Sequence, residues 1–309
     1  MLKYALIALG VLLFLILTAS FIAYRMTFYY PRKNQTTPHS FPKGKKYDNS
    51  KKVMIPMVDE LLQIPFEEVY IKSHDGKALF GRYYHVRDGA PLQIEVHGYK
   101  GNAYRDFCGG HKIGREMGHN CLLIDMRAHG KSGSHTITFG LLERYDCLRW
   151  IEWAVSRFGD IPIVLVGVSM GASTVLMLSD MDLPKNVKCI VADCPFSAPP
   201  AIIKKVAKKM GAPVKLVYPF VVLGGALFGH FNINKHSPIE AVKHSRLPIL
   251  LLHGENDGYV PEYMSREIFD ACTSEKARYT FPNAEHGLSF VADMERYRAI
   301  TEEFINSHL

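Results

Sequence analysis

The stretch Val164–Thr174, VLVGVSMGAST, decides how this chain is read. A run of aliphatic and β-branched residues suits a buried strand, and Ala172-Ser173-Thr174 suits the start of a helix. Between them lies Gly167-Val168-Ser169-Met170-Gly171, a G-x-S-x-G turn. Such a turn forces the serine into a strained backbone conformation, and small residues at −2 and +2 let the chain bend that sharply. An ordinary strand-to-helix turn could also hold a serine. The strand before and the helix after are the setting in which the turn presents a nucleophile.

A serine hydroxyl is a weak nucleophile unless a base takes its proton and an acid orients that base. On a doubly wound sheet these groups belong after late strands. LLLHGENDGYVP places Asp257 after a strand over Ile249 to Leu252, and YTFPNAEHGL places His286 after the final strand. Glu255 and Asp193 compete for the role of the acid, and Asp257 is preferred. The tetrahedral intermediate needs donors. The N–H of Met170 is expected to supply one, and the N–H of Tyr99, in the loop HGYKG after the third strand, the other. His97 and Gly98 are assigned to that loop as support, like Gly167 and Gly171 around the serine. His97 reads as a brace through side-chain hydrogen bonds rather than as a second base.

Outward from the turn, eight short apolar or alternating runs read as strands, from FEEVYIKS to ARYTFPNAE. Helical segments are expected over Ala103–Met117, Leu141–Phe158, Ala172–Ser179, Tyr263–Cys272 and Phe290–Asn306. From about residue 91 strand and helix alternate, which calls for an α/β fold with a mostly parallel sheet and helices on both faces. The alternation stops over residues 197–246. There AIIKKVAKKMGAPVKLVYPFVVLGGALFGHF reads as a helical cap packed over the sheet edge. Lys204, Lys205, Lys208 and Lys209 could in addition rest it on anionic lipid. Its apolar part, Leu216 to Phe228, is too short to span a bilayer, and Pro219 and Gly224-Gly225 are expected to interrupt it.

The six cysteines are scattered, without the spacing of a zinc site or the density of a disulfide scaffold, so they read as buried thiols and no structural metal is expected. Charge is uneven. Residues 1–53 hold nine Lys/Arg against Asp48, and residues 197–246 hold eight against Glu240, within a chain of net charge +7. The body is therefore acidic, and the two basic appendages argue for an anionic surface rather than for nucleic acid.

The first appendage contains YALIALGVLLFLILTASFIAY, Tyr4 to Tyr24, uncharged and long enough at about 1.5 Å per residue to cross the hydrocarbon core. A cleaved signal peptide has an apolar region of about 7–15 residues and an A-x-A-like site; this run is longer, Leu17-Thr18-Ala19 is a poor site, and a retained anchor is preferred. Arg25, Arg32, Lys33, Lys43, Lys45 and Lys46 follow the span and only Lys3 precedes it, which favours a cytoplasmic catalytic domain. An outward-facing domain stays open, because large domains translocate despite flanking charge. The expected division is an anchor over 1–25, a basic linker over 26–59 and a catalytic domain over 60–309.

Over residues 60–309 the chain resembles the α/β-hydrolases, in particular the serine hydrolases of the BEM46-like and YqkD-like group. The resemblance rests on His97-Gly98; Asp125-Met126-Arg127-Ala128-His129-Gly130-Lys131-Ser132, like the group's D-x-R-G-x-G-x-S loop; Glu143, Asp146, Trp150 and Trp153; the serine turn; HGENDGYVP; and EHG. Ala128 departs from the usual glycine. The order Ser, Asp, His is that of these hydrolases. The resemblance implies hydrolysis of an ester, thioester or amide without a cofactor. With an apolar, basic cap beside a membrane, small or lipid-like acyl substrates come first. A peptidase on short peptides is the alternative, although Glu240 is the cap's only acid. A non-catalytic membrane-tethered binding module is the alternative of another class.

Overall fold

A computed structural model describes residues 1–41, 44 and 47–309. Lys43, Lys45 and Lys46, counted above in the charge after the span, lie outside the described residues. The chain runs α1 (Leu2–Thr27), α2 (Asp48–Gln63), β1 (Glu67–Lys72), β2 (Ala78–Tyr84), β3 (Leu92–Val96), α3 (Ala103–Glu116), β4 (Asn120–Asp125), α4 (Glu143–Phe158), β5 (Ile163–Val168), α5 (Met170–Leu178) and β6 (Val187–Asp193). It continues with α6 (Pro199–Lys209), α7 (Val214–Gly229), α8 (Pro238–Ala241), β7 (Ile249–Gly254), α9 (Tyr263–Ala271), β8 (Lys276–Phe281), α10 (Ser289–Ala292) and α11 (Met294–Asn306).

The strands form one eight-stranded sheet in the order β1-β2-β4-β3-β5-β6-β7-β8. β2 is antiparallel to both β1 and β4, and the remaining neighbours are parallel. The central strands are buried on both faces, which is why they read as continuous apolar runs rather than alternating ones. Alternate residues still serve different cores. Leu92, Ile94, Leu165, Ile190 and Leu251 pack with α4, α5 and α9, whereas Val164, Val166, Cys189, Val191 and Leu250 pack with α3 and α11. Helices thus cover both faces, and the carboxyl ends of β3, β5, β6, β7 and β8 share one edge, where loops are free to carry chemistry. All six cysteines are buried and unbridged.

Two regions differ from the sequence reading. Residues 26–59, read as a linker, are docked throughout much of their length. Phe28 and Tyr30 are buried, the Tyr30 N–H donates to the His135 carbonyl at 2.8 Å, and Asn102 Nδ2 and Arg105 Nη1 donate to the carbonyls of Thr37 and Ser40, each at 2.8 Å. From Asp48 the chain is helical. Met54, Val58 and Leu61, spaced to share one helix face, are buried, and the first two pack against Cys108 of α3 and Leu288.

In the cap, α7 is continuous through Pro219 and Gly224-Gly225. Pro219 forfeits one bond to the Lys215 carbonyl early in the helix. The glycines have a different use: a Cβ on Gly224 would meet the Ser20 carbonyl oxygen and approach Tyr24 Cβ to 3.1 Å, so their absence of side chain lets α7 lie against the last turns of α1. Phe21 and Phe228 meet edge-on there, 5.2 Å between ring centroids. The expected final helix is divided at Asp293, whose carboxylate accepts from the Arg296 N–H at 3.0 Å and caps α11.

Candidate active site

β5 ends at Val168, and Ser169 follows with φ +55° and ψ −114°, a conformation that an L side chain adopts at a cost of about 1–3 kcal/mol. The flanking glycines make it possible. A Cβ on Gly167 would lie 2.5 Å from the Ala172 nitrogen, and one on Gly171 would overlap the Val96 carbonyl. Gly98 approaches from the β3 loop, where an added Cβ would stand 3.3 Å from that of Ser169.

The loops after β7 and β8 bring Asp257 and His286 to the serine. Ser169 Oγ is 2.9 Å from His286 Nε2, and His286 Nδ1 is 2.5 Å from Asp257 Oδ2. Because a carboxylate only accepts, Nδ1 carries the proton and Nε2 is left to accept from the serine hydroxyl. Asp257 is buried, and its other oxygen accepts from the N–H groups of Tyr259 and Val260, both at 2.8 Å. Burial opposes its ionisation, but the pull of His286 and His253 outweighs it and holds the carboxyl well below the ordinary carboxylate range. The carboxylates of the competing acids have other hydrogen-bond partners. Asp193 accepts from the Ser289 hydroxyl, and Glu255 accepts from Thr280.

The loop after β3 is held by two buried imidazoles. His97 Nδ1 donates to the Gly98 carbonyl at 2.9 Å while its Nε2 accepts from the Met126 N–H at 3.1 Å. His129 repeats the arrangement, donating to the Arg127 carbonyl and accepting from the Lys100 N–H at 3.0 Å. Burial lowers both pKa values, so each ring stays neutral and can both donate and accept. Asp106 Oδ2 accepts from the Gly98 N–H at 2.9 Å. Among the described residues, neither the Tyr99 N–H nor the Met170 N–H has a protein acceptor.

Ala128 keeps a positive φ of 64°, the value its usual glycine would adopt without strain. The rest of its loop is fixed by ion pairs: Arg127 reaches both oxygens of Asp146 at 2.6 and 2.7 Å, and Arg82 reaches both of Asp125 at 2.8 and 3.3 Å. Sequence reasoning missed the part played by the cap lysines. Lys205 Nζ donates to the carbonyls of Gly258 and Tyr259 at 3.0 and 2.7 Å, and Lys209 Nζ donates to that of Gly258 at 3.2 Å, so two of the four lysines brace the Asp257 loop. Lys204 lies over the Tyr218 ring, and Lys208 is exposed.

Three sets of metal-type donors occur among the described residues, and the two more buried ones are Glu95 with His111 and Cys121, and Cys194 with Asp257 and the half-buried His286. In both of these, the imidazole and the carboxylate are already hydrogen-bonded to one another, and Gln93 Nε2 donates to the second Glu95 oxygen.

Residues 94–213 match the α/β-hydrolase fold family. The chain has the α/β-hydrolase fold, and its similarity extends to proteins of the BEM46-like group. It is 25% identical over 197 residues to the uncharacterised protein YqkD of Bacillus subtilis, 62% of this chain and 64% of that one. With the lysophosphatidylserine lipase ABHD12 of Rattus norvegicus it shares 24% over 214 residues, 65% of this chain and half of the lipase. With the protein bem46 of Schizosaccharomyces pombe it shares 22% over 276 residues, 85% and 82% of the two chains. The alignment therefore spans less than two thirds of YqkD and of the lipase. A Pyrococcus furiosus esterase superposes with a TM-score of 0.67 at 22% identity, covering 81% of this chain and 93% of the esterase, a likeness that carries the hydrolase fold.

Proposed function

We infer that this α/β-hydrolase is a membrane-anchored serine hydrolase that cleaves carboxylic ester or thioester bonds of acyl substrates through an acyl-enzyme. The observation that carries the reading is the contact of Ser169 Oγ with His286 Nε2 at 2.9 Å, made by a serine held at φ +55°.

His286 takes the hydroxyl proton at Nε2 as Oγ attacks the acyl carbon, and the resulting oxyanion accepts from the N–H groups of Tyr99 and Met170. Each such donor contributes on the order of 10²–10³ in rate. Collapse expels the alcohol or thiol, protonated by His286. Water, deprotonated by the same nitrogen, then attacks the ester carbonyl and releases the acid and the free serine. Asp257 orients the imidazole and stabilises its cationic form during both steps. No cofactor takes part in this sequence.

Helix α1, at 26 residues, has the length and composition to cross a bilayer. The packing of α7 against its last turns, with Leu216 and Leu227 exposed, puts an apolar cap surface beside that helix and supports lipid-like acyl substrates. The lipase and esterase names of its relatives agree with that choice. The test is the initial rate of the full chain in micelles on p-nitrophenyl esters from acetyl to decanoyl, with Ser169→Ala as the blank. Serine-dependent turnover peaking at medium or long chains is expected. Turnover confined to aminoacyl or peptidyl anilides would replace the esterase reading with a peptidase.

A further inference from the structure

Where α1 ends, a cavity of about 430 Å³ opens between the helix terminus, the segment after it and the loop after β3. Two cations line it: Arg25, in the last turn of α1, and Lys100, next to Tyr99. The Arg25 guanidinium stacks on the Tyr29 ring at 3.7 Å from its centroid, and the Lys100 ammonium lies 4.9 Å from the Tyr99 ring and 5.7 Å from the Tyr30 ring. Asn34 and Thr36 complete a polar wall, and among the described residues no acidic side chain lines the space.

This arrangement is unlike that of two buried arginines. Arg82 and Arg127 each hold a carboxylate in two contacts. Among the described residues, Arg25 and Lys100 have none; their partners are aromatic faces. Lys100 is half-buried, burial depresses its pKa, and no carboxylate offsets that penalty. Ring faces replace only part of a lost hydration shell. Two such cations on one cavity are complementary to an anion. Two of the four terminal carbonyls of α1, which would repel one, are capped: Tyr24 accepts from the Phe28 and Tyr29 N–H groups, and Thr27 accepts from the Tyr99 hydroxyl at 2.8 Å.

We propose that the cavity bounded by Arg25, Lys100, Tyr29 and Tyr30 binds a phosphate ester anion. An arginine fork, a point-charge ammonium and neighbouring side-chain donors match a group with several acceptor oxygens better than a single carboxylate. The volume suits a phosphate carrying a substituent. Its position at the polar end of an apolar helix is the level at which lipid headgroups lie, so a phospholipid headgroup and a soluble phosphate are the two sources of this chemistry. The site does not depend on the role given to Ser169.

The experiment is calorimetric titration of the full-length Ser169→Ala protein in dodecyl maltoside micelles with dihexanoyl phosphatidate, dihexanoylglycerol and inorganic phosphate. Phosphatidate is expected to bind at least about tenfold more tightly than dihexanoylglycerol, Arg25→Met and Lys100→Met to weaken it by about tenfold each, and Lys100→Arg to retain it. Inorganic phosphate bound as tightly as phosphatidate and equally sensitive to both substitutions would identify a soluble ligand for the site; weaker binding of inorganic phosphate would identify the lipid. Phosphatidate binding indifferent to Arg25→Met and Lys100→Met, or matched by dihexanoylglycerol, would overturn the proposal. Arg25 is exposed at a helix end, so its variant keeps the test decisive if Lys100→Met fails to fold.

Discussion

The hydroxyl of Tyr99 donates to the carbonyl of Thr27 at 2.8 Å, which fastens the last turn of α1 to the loop beside Ser169. The apolar helix is thereby joined to the site's own framework, with Tyr99 stacked on Phe139 at 5.0 Å. Tyr99→Phe keeps the ring and the backbone N–H and removes the fastening. It should cost about 1 kcal/mol of stability and lower kcat by several-fold. Thermal melts and ester kinetics on the full chain would check both, and an unchanged melting temperature would show that the bond contributes nothing.

Asp257→Asn preserves the shape of the acid but can donate to His286, which turns the imidazole to the wrong tautomer. A loss of roughly 10³–10⁴ in kcat is expected, with little change in KM. Steady-state kinetics with matched folding controls measure it. A loss below tenfold would remove Asp257 from the assigned role.

Asp193 gives a pH signature in the stability of the fold. Burial raises its pKa to about 6, and Ser289, His253, His286 and Tyr297 offset that only in part. Its folded pKa lies above the unfolded value of about 3.9, so the penalty is absent below pH 4, grows between pH 4 and 6, and is complete above that, at about 3 kcal/mol. Asp193→Asn should therefore raise the melting temperature at pH 7–8 and leave it unchanged near pH 4. Equal effects at both pH values would contradict the assignment.

Two glycines of apolar helices should respond in opposite ways. Gly224 of α7 faces the Ser20 carbonyl, whereas an added Cβ on Gly10 of α1 meets nothing within 4 Å. Gly224→Leu should separate α7 from α1 and cost about 2 kcal/mol or more, while Gly10→Leu should be neutral. Melting of both variants in the same micelles compares them.

Much of this is legible in the amino-acid sequence. The central strands read as apolar runs because the sheet is covered on both faces there, and the serine turn announces itself because its glycines are sterically required. What was hidden depends on tertiary neighbours. Helix α2 was obscured by Pro56 and by its many charged residues, although Met54, Val58 and Leu61 carry helical spacing. The downward reach of Lys205 and Lys209 could not be read, because their acceptors are backbone carbonyls more than forty residues away. Arg25 and Lys100 meet at one cavity only once the loop after β3 has been fastened to Thr27.

The central claim is that Ser169 is an activated nucleophile, and covalent labelling tests it most directly. The folded full chain would be incubated with a fluorophosphonate, and the modified peptide identified by mass spectrometry, with Ser169→Ala in parallel. The account predicts one adduct, on Ser169, abolished in Ser169→Ala and strongly slowed in a His286→Ala variant. An unlabelled wild-type chain, or an adduct that persists in Ser169→Ala, would contradict it.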